Sequence, residues 1–371
     1  MRKRIRAAAA LAVALASTLA LAAAAAADNG GSTVVYDSFS APGGYTLANY
    51  EAKWSNIYGL GDMAASCLDG TPTLHGDTRL FGGGVFSIAD APFSCGYDYS
   101  VYDHLKYIAV SSQSFPVPQV GSLEFDSDIS AQTPGTQPGR VIHGAYGRPG
   151  SCSALPCAGT PWSAATLQGQ QAGAVMNMIN FATGQLFDWF VSGDTAFALI
   201  ERLPSAVTGS SSPSWVGPEQ MYTQIIAEYP AAAGVAHHVG IRYTRERKGD
   251  FVSYYLDGTR VAKVANVGIP LDRQGVNWTG TYPSLGPGEL LQPNLNSFVI
   301  GHGTFSLLDA FPFQWGWTPD PTLAGSSPCV DDYAVWSTAC DASVSIPVSE
   351  RLFGQGVDAA FDNFTVTTRS N

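Results

Sequence analysis

Short runs of alternating apolar and polar residues, separated by Gly, Pro, Asn, Asp and Ser, recur along the whole chain. Alternation with a period of two residues is typical of strands that bury one face. Ten or more such runs can be counted, and no convincing amphipathic helix lies between them. Parallel strands need long crossover connections that are usually helical, so this pattern predicts antiparallel sheets and an all-β fold.

The clearest predicted hairpin lies between residues 238 and 264. Residues 238–243 and 251–256 have strand patterns, and Asp257-Gly258 separates the second of them from a returning strand at 259–264. An Asp-Gly pair favours a type I′ turn, which needs positive φ at both central residues. The other predicted strands are 34–39, 121–130, 140–145, 185–191, 195–203, 221–229, 297–301 and 359–367.

The first 27 residues have the pattern of a secretory signal peptide. Four basic residues lie within positions 2–6, an Ala-rich run follows from Ala7 to about Ala22, and three alanines precede Asp28. We therefore expect a secreted, extracellular protein whose residues 28–371 form a single sandwich domain with long loops. A membrane anchor is the alternative for residues 1–27, and no later run reaches the roughly 18 apolar residues of a membrane-spanning helix.

The chain is acidic. Residues 1–27 hold four Lys or Arg and no acid, so the remainder has 15 basic against 30 acidic residues, a formal charge of −15. Such a surface repels nucleic acid and anionic lipid. It also disfavours polyanionic substrates, unless a local basic site overrides the overall field. We expect a monomer that binds a glycan and no nucleic acid, and whose residues 28–371 do not insert into a membrane.

Six cysteines follow the predicted signal peptide, an even number that indicates disulfides in an exported chain. Their spacing favours Cys152–Cys157 and Cys329–Cys340 as local loop closures and leaves Cys67 for Cys95, although six cysteines allow fifteen connectivities. A zinc site is the alternative, but the Cys152/Cys157 pair has no partner pair of Cys or His at zinc spacing.

The run 121–130 brings three acids together on one predicted strand. Because successive side chains of a strand face opposite ways, Glu124, Asp126 and Asp128 share one face, with Cα atoms about 6.6 Å apart per step. The opposite, core-facing set is Leu123, Phe125 and Ile129. Three carboxylates in a row repel one another, so at least one pKa should rise or a cation should lie among them.

Three interpretations of this acidic row stay open. It can be a solvated outer face, a catalytic group, or a Ca²⁺ site, since carboxylate oxygens are the ligands that Ca²⁺ prefers. No cofactor is otherwise expected. The motifs Gly-x-Ser-x-Gly, the Walker loop, the dinucleotide fingerprint and His-Glu-x-x-His are all absent from the sequence, which removes the usual support for those enzyme classes.

Two short stretches resemble the concanavalin A-like jelly rolls of lectins and secreted glycanases: residues 254–261 around the Asp-Gly turn, and residues 361–366. The acidic row is similar to the catalytic strand of laminarinase-type glucanases. That resemblance implies Glu124 as nucleophile, Asp126 as its helper and Asp128 as acid/base. The third position departs from the family pattern, because it is Asp and not Glu. The shorter side chain favours the wider carboxyl separation of inverting enzymes, or no chemistry.

His143 lies on the next predicted strand, where a hairpin would place it near the acidic row. The sequence Val141-Ile142-His143 is faintly similar to the Gln-Ile-His motif of jelly-roll alginate lyases, although the Arg-rich strand of those enzymes is not evident. A catalytic His143 and an ordinary hydrogen-bonded histidine are the two alternatives.

Tryptophans supply possible sugar-stacking surfaces. Trp189, Trp315 and Trp317 are the predicted substrate-binding aromatics, the last two within the aromatic segment 311–317. The alternative is that these rings pack down on the sheet.

Most of residues 28–371 resembles a family of secreted actinobacterial proteins of unknown function. The similar stretches are 187–190, 198–204, 237–243, 303–309 and 350–356. The sequence thus predicts a secreted β-sandwich of the concanavalin A-like jelly-roll type that acts on a glycan. A glycoside hydrolase acting on a neutral polysaccharide is one hypothesis. A non-catalytic glycan-binding module and a structural or adhesive envelope protein are the others.

Overall fold

The structure is a computed structural model that describes residues 31–56, 77–90, 92, 105–138, 142–147, 165–167, 172–202, 220–267, 289–291, 295–306, 313–314, 343–345 and 354–370. All six cysteines and residues 1–27 lie outside these ranges. The disulfide and signal-peptide predictions therefore stay predictions. In the described part of the chain, no helix is long and apolar enough to span a membrane.

The described elements are almost all strands. In chain order they are β1 Ser32–Asp37, α1 Leu47–Lys53, β2 Trp54–Asn56, β3 Asp77–Gly82, β4 Val85–Asp90, β5 Leu105–Ser111, β6 Phe115–Pro116, β7 Gly121–Gln132, β8 Ile142–Gly147, β9 Ala165–Leu167, β10 Ala172–Ile179, β11 Gln185–Ser192, β12 Thr195–Arg202, β13 Gln220–Pro230, β14 His237–Glu246, β15 Gly249–Leu256, β16 Thr259–Val264, β17 Asn266–Val267, β18 Glu289–Leu290, β19 Ser297–Ser306, β20 Phe313–Gln314, β21 Ser343–Ser345 and β22 Val357–Ser370.

Two large antiparallel sheets contain most of these strands. The first sheet has the order β16-β15-β14-β7-β22-β4-β3, with β1 also paired to β22. The second has the order β2-β5-β19-β10-β11-β12-β13-β20, with β6 also paired to β19. Two small sheets, β17-β18 and β21-β8-β9, complete the described strands.

The two large sheets pack face to face around one apolar core. Phe125 and Phe361 from the first sheet and Phe187 and Trp189 from the second are fully buried in the same cluster. The Trp189 Nε1–H also donates to the Gly240 carbonyl, at 2.9 Å, and so joins the sheets directly. The predicted fold class, an antiparallel β-sandwich of the jelly-roll type, is confirmed.

The predicted Asp-Gly hairpin is present between β15 and β16. Asp257 and Gly258 have φ of 49° and 78°, the two positive values that a type I′ turn needs. The turn sets the register, in which Leu256 pairs with Thr259. Strand β16 matches its predicted bounds, whereas β14 begins one residue earlier and ends three residues later than predicted, and β15 begins two residues earlier.

Two elements differ from the prediction. Helix α1 was not predicted; it is short, and Thr46 begins it with a capping box in which Thr46 and Asn49 bond each other's backbone N–H. Strand β10 was also missed, because all eight of its residues are buried and its sequence therefore lacks a polar face.

Candidate functional site

The acidic row lies on the outer face of the first sheet, as the alternation of β7 predicted. Leu123, Phe125 and Ile129 are fully buried between the sheets. Glu124, Asp126 and Asp128 face the other way, and their side chains become more exposed along the strand, at 7%, 14% and 32%. One end of the row is thus covered and the other is open to solvent.

The neighbouring strands provide the positive charges that the row needs. On β14, Arg242 pairs with Glu124, Gly240 with Asp126 and His238 with Asp128. Strand β22 lies on the other side of β7 and contributes Arg369. Side chains of the protein therefore place positive charge beside the acidic row. Among the described residues, no group of three His, Cys, Asp or Glu side chains is placed to hold a metal ion.

Glu124 is held by two guanidinium groups. Arg242 binds it through two parallel hydrogen bonds, Nη2 to Oε1 at 2.8 Å and Nε to Oε2 at 3.0 Å. The Arg369 Nη1–H also donates to Oε2. Three hydrogen bonds from two cationic groups thus hold a carboxylate whose side chain is only 7% exposed, and this arrangement does not favour the nucleophilic role that the glucanase resemblance implied for Glu124.

Asp126 lies over a glycine. A Cβ at Gly240 would come within 2.4 Å of Asp126 Oδ1, so the absence of a side chain there creates the space for this carboxyl group. Burial and the neighbouring charge of Glu124 raise the pKa of Asp126 to about 6, against the opposing effects of His238 and of a hydrogen bond from Thr365. The predicted rise in pKa within the row is therefore found at Asp126.

Asp128 is bound by a histidine and by an asparagine in a β-bulge. His238 Nδ1 lies 2.8 Å from Asp128 Oδ1, and His238 Nε2 lies 3.8 Å from Asp126 Oδ1. The register of β22 shifts between Asp362 and Thr365. There Asn363 adopts a φ of 52° and donates from Nδ2 to Asp128 Oδ2 at 2.9 Å. A half-exposed imidazole thus connects the two acids.

The Asp-Gly turn orients this histidine. Asp257 accepts a bond from the His238 backbone N–H at 2.9 Å and lies 2.9 Å from His237 Nδ1. His237 Nε2 accepts from the Ala232 N–H, so in a neutral His237 ring the proton is on Nδ1 and is donated to Asp257. The turn predicted from sequence therefore has a second effect, which is to fix the start of β14 beside the acidic row.

An open depression of about 310 Å³ continues the outer face beyond Asp128. It crosses β3, β4, β22 and β7, which at normal strand spacing is about 14 Å. Its base consists of small side chains, Ser87, Ala89, Ser130 and Ala360. Thr78, Leu80, Gln132, Gly234 and Asp358 are also among the residues that line it.

Two of the predicted site residues require correction. Trp189 is fully buried in the core and bonded to Gly240, so no sugar can stack on it. His143 is on β8, which pairs with β9 and β21 and not with β7. The expected hairpin between the strand of His143 and the acidic row is therefore wrong. Trp315 and Trp317 lie outside the described residues.

Sequence reasoning missed Arg242, Arg369, Gly240 and His238 as partners of the row. Their positions beside the row depend on strand register, which is set by pairing between strands that are far apart in the chain. The only local signal was the pattern of β14, in which residues 238, 240 and 242 alternate with buried apolar residues.

The comparison with known proteins gives a family and a set of similar folds. The model of a family of unknown function, DUF6081, matches residues 160–370. No curated protein matches the sequence.

Among solved structures, an endo-1,3-β-glucanase from Streptomyces sioyaensis is 12% identical, with a TM-score of 0.35 over 94% of this chain and 100% of that one. The carbohydrate recognition domain of Emp46p is 6% identical, with a TM-score of 0.28 over 86% and 91% of the two chains. Alginate lyase vAL-1 from Chlorella virus is 10% identical, with a TM-score of 0.28 over 79% and 89%. None of these likenesses assigns a ligand or an activity to this chain.

Proposed function

The chain belongs to the family of unknown function DUF6081, and from its site we propose an exported carbohydrate-active protein that binds a glycan across the outer face of its first sheet. The observation that supports this proposal is the open depression of about 310 Å³ that continues directly from the acidic row. The small side chains at its base let a sugar ring approach the sheet closely.

The groups around the depression suit a sugar. Thr78, Ser87, Ser130 and Gln132 provide hydroxyl and amide groups, which both donate to and accept from sugar hydroxyls. Leu80, whose side chain is largely exposed at the edge strand β3, offers an apolar surface. Small residues form the base, so the backbone of the sheet and the ligand can come close together.

Filling the depression tests the proposal. Ala360→Trp places a large ring on its base, and we expect binding to neutral oligosaccharides, measured by titration calorimetry over a panel of linkages, to fall at least tenfold. Leu47→Trp adds the same ring at an exposed site on α1 that does not line the depression, and should leave affinity unchanged. Equal binding by both variants and the parent would contradict the proposed site. A lack of binding by the parent to any glycan would favour the structural or adhesive alternative.

Hydrolysis is a second candidate, and the raised pKa of Asp126 favours it. A carboxyl group with a pKa of about 6 is protonated in mildly acidic solution, as a general acid must be. In this scheme Asp126 gives its proton to the glycosidic oxygen as the C–O bond breaks. Water adds to the anomeric carbon, and the more exposed Asp128 takes the proton of that water. Their Cα atoms are about 6.6 Å apart at normal strand rise, and side chains that diverge from this spacing would bring the carboxyl groups into the roughly 6.5–9.5 Å range of inverting enzymes.

Asp126→Asn tests this second candidate. The variant removes the acid and keeps the shape of the side chain, so reducing-sugar release should disappear while glycan affinity remains. In the parent protein, release should decline as the pH rises through about 6, because Asp126 then loses its proton. Glu124→Gln is a poorer test, since it also releases two arginines. Binding without turnover in the parent protein would leave the non-catalytic module as the function.

A further inference from the structure

We propose that Arg242 and Arg369 form a subsite for the carboxylate of an acidic sugar, at the covered end of the acidic row. This inference rests on the proposed glycan-binding function and specifies its ligand. It differs from the neutral polysaccharide that the composition favoured.

The two guanidinium groups are held in fixed positions. Glu124, which is almost fully buried, binds both of them. The Arg242 guanidinium also lies over the ring of Tyr255, 4.5 Å from its centroid. The stem of Arg369 passes over Gly31, where a Cβ would come within 2.8 Å of Arg369 Cγ. Side chains fixed in this way lose little conformational freedom when a ligand binds.

Both arginines keep donors for a ligand. Their side chains are 27% and 43% exposed. Among the described residues, the hydrogen bonds of both go to Glu124 alone, from Nε and Nη2 of Arg242 and Nη1 of Arg369. A guanidinium has five N–H donors, so Nη1 of Arg242 and Nε and Nη2 of Arg369 remain to be satisfied.

The charge of this group is opposite to that of the chain. Two guanidiniums on one carboxylate leave a net positive charge, whereas the chain has a formal charge of −11. The group is therefore a local basic site within an acidic surface. Asp126, the next acid along β7, opposes an anion here, but its pKa of about 6 keeps it partly protonated in mildly acidic solution.

The ligand chemistry follows from the geometry of the donors and their place on the face. Guanidinium groups bind carboxylates and other oxyanions through paired hydrogen bonds. Glu124 and Ser130 are six residues apart on β7, about 20 Å at normal strand rise. An oligosaccharide of several units that occupies the depression can therefore extend along β7 and present a uronate carboxylate to the arginines.

The test compares three probes of the same length on the full chain: an oligouronate, the same oligomer with its carboxyl groups reduced to alcohols, and a sulfated neutral oligomer. Arg369→Gln is the test variant. Arg260→Gln is the matched control, because it removes the same charge from an exposed position on β16 of the same sheet. Far-ultraviolet circular dichroism and thermal unfolding establish that both variants are folded.

We expect the parent to bind the oligouronate at least tenfold more tightly than the reduced oligomer. Arg369→Gln should remove that difference and Arg260→Gln should preserve it. Preferred binding of the sulfated oligomer, lost in Arg369→Gln, would keep the anion subsite and overturn the carboxylate assignment. The arginine subsite is wrong if the parent binds the reduced oligomer and the oligouronate equally, or if Arg369→Gln changes the affinity for neither of them. Neither result would contradict the proposed glycan-binding face. If no oligomer binds, both proposals fail.

Discussion

At the scale of single residues, His302 lies in an environment that strongly opposes a charge. It is fully buried between the sheets, with the rings of Trp54, Phe361 and Phe364 at 4.5, 5.0 and 5.3 Å. Its Nε2 lies 2.7 Å from the Tyr50 hydroxyl, and its Nδ1 has no hydrogen-bond partner among the residues that the structure describes. Burial lowers the pKa of His302 to about 3.

This lowered pKa predicts acid sensitivity. Between about pH 6.5 and 3 the unfolded chain binds a proton that the folded protein does not, so stability is full above 6.5 and is lost as the pH falls. From pH 7 to pH 4 the loss from this residue is roughly 3 kcal/mol, at 1.36 kcal/mol per pKa unit. His302→Phe should therefore lose less stability than the parent over this range in urea unfolding. An identical pH dependence in the two proteins would contradict the prediction.

Asp126 has the opposite effect on stability. Its raised pKa means that the folded protein holds a proton which the unfolded chain releases between about pH 4 and 6, so its contribution declines as the pH rises through about 6. At pH 8 the free energy of unfolding of Asp126→Asn, measured in urea, should exceed that of the parent by on the order of 1–3 kcal/mol. At pH 4 the two free energies of unfolding should be closer. A variant less stable than the parent at pH 8 would show that the ionised carboxylate is stabilising.

At the scale of elements, the Asp257-Gly258 turn links local sequence to the site. A Cβ at Gly258 would meet no atom within 4 Å, so the effect of Gly258→Ala is confined to the backbone, whose φ is 78°. The left-handed conformation is roughly 1–2 kcal/mol less favourable for an L-residue with a Cβ. We expect a loss of about 1 kcal/mol in the free energy of unfolding.

Gly82→Ala is the matched control, because Gly82 has equal free space and no positive φ. Its stability should be unchanged or slightly increased. Equal losses for the two alanine variants would mean that the turn geometry is not the cause.

At the scale of the whole molecule, hydrogen bonds across the core align the two sheets. The Trp189 indole donates to Gly240 on β14, and the Tyr254 hydroxyl on β15 donates to the Leu199 carbonyl on β12. These bonds fix the inner faces against each other and so hold β14, with its arginine and histidine, in place on the outer face.

Two adjacent tyrosines on β15 provide a matched test. Tyr254 is fully buried, whereas Tyr255 is partly exposed on the outer face. Tyr254→Phe should destabilise the protein by about 1–2 kcal/mol, because it removes the hydroxyl that donates to the second sheet. Tyr255→Phe removes the same atom from a partly exposed ring and should change stability by less than about 0.5 kcal/mol. Similar effects in both variants would show that the bond between the sheets contributes little.

Much of the fold was predictable because strand patterns and turns are local. Alternating residues identified β7, β14 and β22, and the Asp-Gly pair identified the turn that pairs β15 with β16. The shared face of Glu124, Asp126 and Asp128 follows from the same period. Strand β10 was not predicted because it is buried on both faces and has no alternation.

The sequence by itself determined which side chains of each strand lie together, because the period of two is a property of the extended backbone. The tertiary structure alone decided which strands border the acidic row, since β7 pairs with β14 and β22 through residues more than a hundred positions apart. Glu124 therefore binds Arg242 and Arg369, and Asp126 lies over Gly240. Trp189 is bonded across the core to the other sheet and is not available to bind a sugar. The charges and pKa values of the site follow from those long-range contacts.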